Sequence, residues 1–189
     1  ILSLLAISFL FTNLSLADGS DYEEITYIFR SFESETVPDP QECIDIGWPS
    51  FNEPIVALFD IYRIKTKENT GAAKKQNYKK PIGQVLTCAD WTGFSEATAF
   101  DPIPVRFKAT LDGMELILEG EGRYYSFDVP EFPVALGGYV LRVISGPEDI
   151  LGGQLVTNTL TSLAGASPPG YVSGSIANLR LYKNTTAGN

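Results

Sequence analysis

The feature that most constrains this chain is a succession of short strand-like runs, several joined by tight turns, from Pro54 to Lys183. "PIVALFDIYRIK" (54–65) alternates imperfectly. It puts Val56, Leu58, Asp60, Tyr62 and Ile64 on one face and Ile55, Ala57, Phe59, Ile61 and Arg63 on the other. "IGQVLTCADWTGF" (82–94), "VRFKATL" (105–111), "MELILEG" (114–120), "RYYSFDV" (123–129), "YVLRVIS" (139–145), "GQLVTNT" (153–159) and "VSGSIANLRLYK" (172–183) complete eight runs. Asp112-Gly113 is the strongest hairpin signal, because both residue types accept the positive φ of a type I′ turn. Glu121-Gly122 reads as a second turn of the same kind. Helical periodicity is not sustained anywhere after residue 17, and "YEEITYIFRSFES" (22–34) reads as a short helix or an N-terminal strand. Eight strands in meander order hide their edges best by closing on themselves. The expected fold is therefore all-β, a single eight-stranded antiparallel β-barrel over residues 54–183, with a β-sandwich as the alternative. Such a barrel is either filled by side chains or holds one small ligand.

The remaining segments bound the setting. Residues 1–17 combine an apolar run, Ile1 to Phe11, with "LSLA" before Asp18, the pattern of a cleaved secretory signal; a membrane anchor would need a run of about 20 apolar residues. A secreted protein is expected, with no membrane association after cleavage. Residues 18–53 read as an extension ahead of the barrel, punctuated by Pro38, Pro40 and Pro49, and residues 184–189 as a tail. A formal net charge of −9 disfavours nucleic acid as a partner. The basic cluster Lys74, Lys75, Lys79 and Lys80 sits in a polar run and reads as a solvated loop. The chain has no histidine, which removes Ser-His-Asp and Cys-His catalysis and every imidazole zinc site. No metal site and no cofactor are implied. In an oxidising compartment Cys43 and Cys88 are expected to pair, stapling the N-terminal segment onto the body; the competing reading leaves Cys88 as a free, functional thiol.

"RVISGPEDILGGQLV" (142–156) concentrates three glycines around an acidic pair. It is not a Walker loop, because Gln154 and Leu155 follow the glycines where Lys and Ser/Thr are required. It is not an EF-hand loop either, because Glu148 and Asp149 are adjacent rather than alternating. What remains is a strand, a turn carrying Ile150-Leu151, two glycines and a further strand. That layout resembles the barrel family of plant allene oxide cyclases and dirigent proteins. "LFDIYRI", "IGQVLTCADW" and "DGMELILEGEGRY" resemble its first two strands and middle hairpin, so the resemblance spans roughly residues 54–183.

The resemblance implies a small hydrophobic or phenolic molecule bound in the barrel, with cyclisation or stereoselective coupling as the activity. Family positions for a glutamate, an asparagine and a cysteine fall near Asp60, Tyr62 and Cys88, although Asp replaces Glu and Tyr replaces Asn. Asp60 is the expected acid or base, since a carboxylate in an apolar barrel has a raised pKa, with Tyr62 beside it. Trp91, Arg123, Tyr125 and Arg142 are the expected ligand-binding residues. Trp91 offers a stacking surface, Arg123 and Tyr125 share one face, and Arg142 shares a face with Val140 and Ile144 and needs an acidic partner, Asp60, Glu119 or Glu121. A homo-oligomer is implied by the same resemblance. The rival classes are a non-catalytic carrier or interaction module with a filled barrel, and a sugar-binding sandwich that uses Trp91.

Overall fold

The computed structural model describes residues 21–50, 52–65, 80–92, 101–129, 132–162 and 174–186. The expected signal segment, the 184–189 tail beyond residue 186, and Lys74, Lys75 and Lys79 lie outside the described residues. The strands are β1 (Tyr22–Glu33), β2 (Ile55–Arg63), β3 (Gly83–Ala89), β4 (Ile103–Leu111), β5 (Met114–Val129), β6 (Phe132–Ser145), β7 (Ile150–Ser162) and β8 (Gly174–Asn184), with one short helix, α1 (Gln41–Asp45), between β1 and β2. All eight pair antiparallel with their chain neighbours, and β1 pairs with β8, so the sheet closes as an up-and-down barrel.

The barrel begins at Tyr22, inside the segment expected to be an extension. Tyr22–Arg30 of β1 pairs with β8, and Phe29–Glu33 pairs with β2. "YEEITYIFRSFES" is thus a strand, and its alternation of half-buried Ile25 and Tyr27 with buried Phe29 and Ser31 follows the barrel wall. The count of eight holds because two expected strands merge. Glu121-Gly122 is not a turn: β5 runs unbroken through it for 16 residues and pairs with β6 along its length. Gly122 is there for space. A Cβ on it would stand 2.6 Å from Cδ1 of Tyr139, so the glycine lets that ring lie flat against the wall. Asp112-Gly113 does turn, with φ of 48° and 83°, as a type I′ hairpin requires. The 142–156 stretch is a turn of Gly146–Asp149, closed by Ile150 N–H donating to Pro147 O at 2.9 Å, followed by a bulge at Gly152, φ 154°.

The two ends of the barrel differ. Leu111, Leu116, Leu118, Leu141, Leu179, Leu181 and Ile61 fill one end, each no more than 1% exposed. At the other end the inward positions are smaller or carry hydroxyls, among them Ser31, Ala57, Thr87, Ala89, Thr157, Thr159, Ser175 and Ala177. Outside the wall, the segment between β1 and β2 forms a strap over β2 and β3. Cys43 on α1 is bonded to Cys88 on β3, and Ile46, Trp48, Val56 and Leu58 pack around the disulfide and Leu86. Arg106 donates to the carbonyls of Ile46 and Gly47, where α1 ends, and is ion-paired with Glu119. Asp90 accepts from Ser50 Oγ at 2.9 Å and Asn52 Nδ2 at 2.6 Å, which ties the end of the strap to the end of β3.

Candidate functional site

Small inward residues at one end of a barrel leave volume, and a cavity of about 340 Å3 occupies it. This lies at the lower end of the range for small-molecule pockets, about 300–1,000 Å3. Phe29, Phe59, Val85, Phe107 and Leu155 are among its apolar lining, together with Trp91. The Trp91 ring lies 4.7 Å from that of Tyr124, which is 5.4 Å from Tyr139; Tyr139 in turn meets Phe107 edge-on at 5.1 Å. Tyr124 and Tyr139 are 1% and 7% exposed, and burial holds both phenols well above their ordinary pKa. They stay neutral hydrogen-bond donors across the physiological range.

A line of hydroxyls runs down the opposite wall. Tyr139 N–H donates to Thr157 Oγ1 at 2.9 Å. Thr157 and Thr159 hydroxyls meet at 3.4 Å, Thr159 and Ser175 at 2.5 Å, and Ser175 N–H donates to Ser31 Oγ at 3.1 Å. Alternation along β7 puts Leu155, Thr157 and Thr159 on the inner face, so a periodic polar residue every second position marks this line in the sequence. It passes for strand-forming threonine unless the inner face is known.

The sequence-derived site residues divide by face. Trp91 lines the cavity as expected. Asp60 and Tyr62 do not: the inner face of β2 carries Ile55, Ala57, Phe59 and Ile61, so Asp60 and Tyr62 point outward. Asp60 accepts a hydrogen bond from Gln84 Nε2 at 2.9 Å, its cross-strand partner, and Tyr62 packs edge-on against Phe32 at 5.6 Å. A carboxylate outside the barrel has neither the apolar enclosure nor the reach that an internal acid or base needs, and the catalytic assignment of this pair is corrected on that ground. Arg142 and Arg123 also stand on the outer face, 75% and 59% exposed at their side chains. Arg142 pairs with Glu119 at 2.6 Å, one of the partners expected for it, and Arg123 lies 3.6 Å from Glu121. Both border an open outer groove of about 870 Å3 across β4 to β7, which is separate from the internal cavity. The side chain of Tyr125 lies outside the described residues. Cys88 is bonded to Cys43, which removes the free-thiol reading and leaves the strap as its role.

Two surface carboxyls are held below their ordinary pKa. Hydrogen bonds from Thr92, Asn52 and Ser50, that from Thr92 being the largest influence, bring Asp90 down to about 2. Hydrogen bonds from Arg142 and then Arg106 lower Glu119. Neither is in the cavity wall, where Glu33 at the rim is the one charged side chain among the described residues. Comparison with protein-family models, with curated proteins and with solved structures finds no match to this chain.

Proposed function

We propose that this barrel binds one small, largely apolar molecule in its end cavity, as an extracytoplasmic protein. The observation that carries the reading is the asymmetry of the core: seven large aliphatic side chains seal one end, while alanines, serines and threonines at the same wall positions of the other end leave about 340 Å3 open. A filled barrel would put large side chains at both ends. The disulfide fits an oxidising compartment. The sequence resemblance to allene oxide cyclases and dirigent proteins supports the same ligand class, hydrophobic or phenolic. It also suggests that confinement of one conformer steers a cyclisation or coupling, a mode that needs no carboxylate in the cavity.

The test is saturable binding of a neutral apolar dye, N-phenyl-1-naphthylamine, followed by its fluorescence, in the wild type and in Ala57→Phe. Ala57 faces the cavity, and a phenyl group there occupies it. Wild type should bind and the variant should lose affinity by roughly tenfold or more, about 1.4 kcal/mol, with its melting curve intact. Equal binding by both proteins, or no saturable binding by wild type, rules the reading out.

A second reading has one observation behind it. Val140, Val156 and Ile176, on the adjacent strands β6, β7 and β8, are 59%, 41% and 50% exposed on the outer face. Such a patch favours a protein partner or a second copy of the chain, and light scattering across a concentration series tests the second copy.

A further inference from the structure

A short sequence at the filled end of the barrel has no part in the cavity. Asn184 is the last residue of β8, and Thr185 and Thr186 follow it. An asparagine with serine or threonine two places on, and no proline between, is the acceptor pattern for N-linked glycosylation in secreted proteins. The pattern is short, so its placement has to decide. From residue 18 to residue 187 it occurs once: Asn52, Asn69, Asn77, Asn158 and Asn178 have Pro54, Gly71, Lys79, Leu160 and Arg180 where the hydroxyl is required. The other match, Asn13-Leu14-Ser15, falls in the segment expected to be removed as a signal.

An acceptor needs an outward side chain, free space around it and an amide nitrogen not committed elsewhere. Ala177, Leu179 and Leu181 of β8 are buried, so alternation puts Tyr182 and Asn184 on the outer face. Thr185 and Thr186 are exposed. The backbone is pinned beneath the side chain: Asn184 N–H donates to Asp149 O at 2.7 Å, and Thr185 N–H to Asp21 O at 3.0 Å. Asn184 Oδ1 accepts from Thr186 N–H at 2.8 Å and from the Thr186 hydroxyl at 2.7 Å. This Asx turn is made within three residues, so the hydroxyl is held beside the amide without help from the barrel. With Oδ1 turned to Thr186, Nδ2 is on the far side of the carboxamide and donates to no described residue. Tyr22, the cross-strand partner of Asn184, is 47% exposed, and its ring meets that of Tyr182 edge-on at 5.6 Å. Aromatic surface therefore stands beside the attachment point, where the apolar face of a first sugar can pack. β8 rises about 30 Å from Ser175 in the cavity wall to Asn184, so a glycan here leaves the open end of the barrel clear.

We infer that Asn184 carries an N-linked glycan, taken from a polyprenyl-diphosphate oligosaccharide in the compartment where Cys43 and Cys88 pair. Nδ2 forms a bond to C1 of the first sugar and gives up one proton to a base. The bond from C1 to the diphosphate oxygen breaks, and the lipid diphosphate leaves with the electron pair. The inference goes beyond ligand binding and rests on the extracytoplasmic reading alone.

The chain is produced in cultured mammalian cells in two forms: behind its own residues 1–17 with a start methionine, and behind a standard secretion signal in their place. Each is run on a gel before and after treatment with peptide-N-glycosidase F. Both forms should be secreted and should shift once on treatment, and peptide mapping should find Asn184 converted to aspartate. Asn184→Gln and Thr186→Ala should each abolish the shift, while Thr186→Ser, which keeps the hydroxyl, should retain it. If Asn184→Gln fails to fold, the two changes at exposed Thr186 carry the test. Secreted, disulfide-bonded protein that does not shift overturns the inference and leaves the extracytoplasmic reading standing. A shift that persists in Asn184→Gln or Thr186→Ala overturns it as well, because the glycan is then elsewhere. If only the form with the standard signal is secreted and shifted, the extracytoplasmic reading fails and takes this inference with it.

Discussion

Replacing both Cys43 and Cys88 by alanine should lower the unfolding free energy by about 4 kcal/mol. The disulfide spans 45 residues of chain. In the loop-closure account, a cross-link of that span removes about 13 cal/mol/K from the unfolded ensemble, or about 4 kcal/mol at room temperature. The native state supplies little to offset the loss, because the strap keeps its other ties: Arg106 to the carbonyls of Ile46 and Gly47, and Asp90 to Ser50 and Asn52. The folded barrel should therefore survive with its cavity, and the penalty should lie mainly in the unfolded state. Guanidinium unfolding measures it, with free energies compared rather than midpoints, since an uncross-linked unfolded chain exposes more surface and steepens the transition. The two tryptophans serve as separate reporters. Trp48 lies in the strap, where its Nε1 donates to Asn52 O at 2.8 Å, and Trp91 lies in the cavity wall. A loss below about 1 kcal/mol would refute the loop argument. So would a Trp48 transition that precedes the Trp91 transition, because the strap would then be unfolding as a unit of its own.

Three further outcomes follow from the same contacts. Tyr124→Phe removes an unpartnered buried hydroxyl and should raise stability by about 1 kcal/mol, read as a rise in Tm of roughly 2–4 °C by calorimetry. Gly122→Ala places a methyl group 2.6 Å from the Tyr139 ring; overpacking of that kind should destabilise by about 1–3 kcal/mol in chemical denaturation and weaken dye binding in the cavity. Asp90 has its pKa depressed from 3.8 to about 2, so its contribution is present above pH 3.8 and is lost as pH falls towards 2. For so open a site that contribution is about 1 kcal/mol after solvent screening, and Asp90→Asn should flatten this part of the stability profile between pH 4 and 2.

Much of the fold was legible because its local signals agree. Asp112-Gly113 carries turn residues of the required kind, and β4 alternates buried Ile103, Val105, Phe107, Ala109 and Leu111 with less buried neighbours, which is the signature of a wall with one wet face. The disulfide was legible from two cysteines and the expected compartment. What misled was a glycine. At Gly122 the chain needs room for a ring that arrives from another strand, and no local pattern distinguishes that need from a turn. β1 was ambiguous for a related reason: charged Glu23 opens the same face as Ile25, Tyr27 and Phe29, while half-buried Ile28 and Phe32 share the other face with Glu24 and Arg30, so the alternation is diluted.

The site was missed where a strand is covered on both sides. β2 carries apolar residues on both faces, because the strap packs Ile46 and Trp48 onto Val56 and Leu58 outside while Ala57, Phe59 and Ile61 face inward. Alternation cannot then say which face is the interior, and a one-residue choice moves every side chain to the opposite surface. The acidic residue on that strand drew attention because a carboxylate is the most reactive group in it, yet the register with Gln84 puts Asp60 outside. The strands that do report the inner face are β4 and β7, where outward Lys108, Gln154 and Asn158 contrast with inward Phe107, Leu155 and Thr157. Read from those strands and carried through the pairing, the interior contains phenols, hydroxyls and aromatic surface. The groups that this wall offers are hydrogen-bonding hydroxyls and stacking rings, and among the described residues its one carboxylate is Glu33 at the rim.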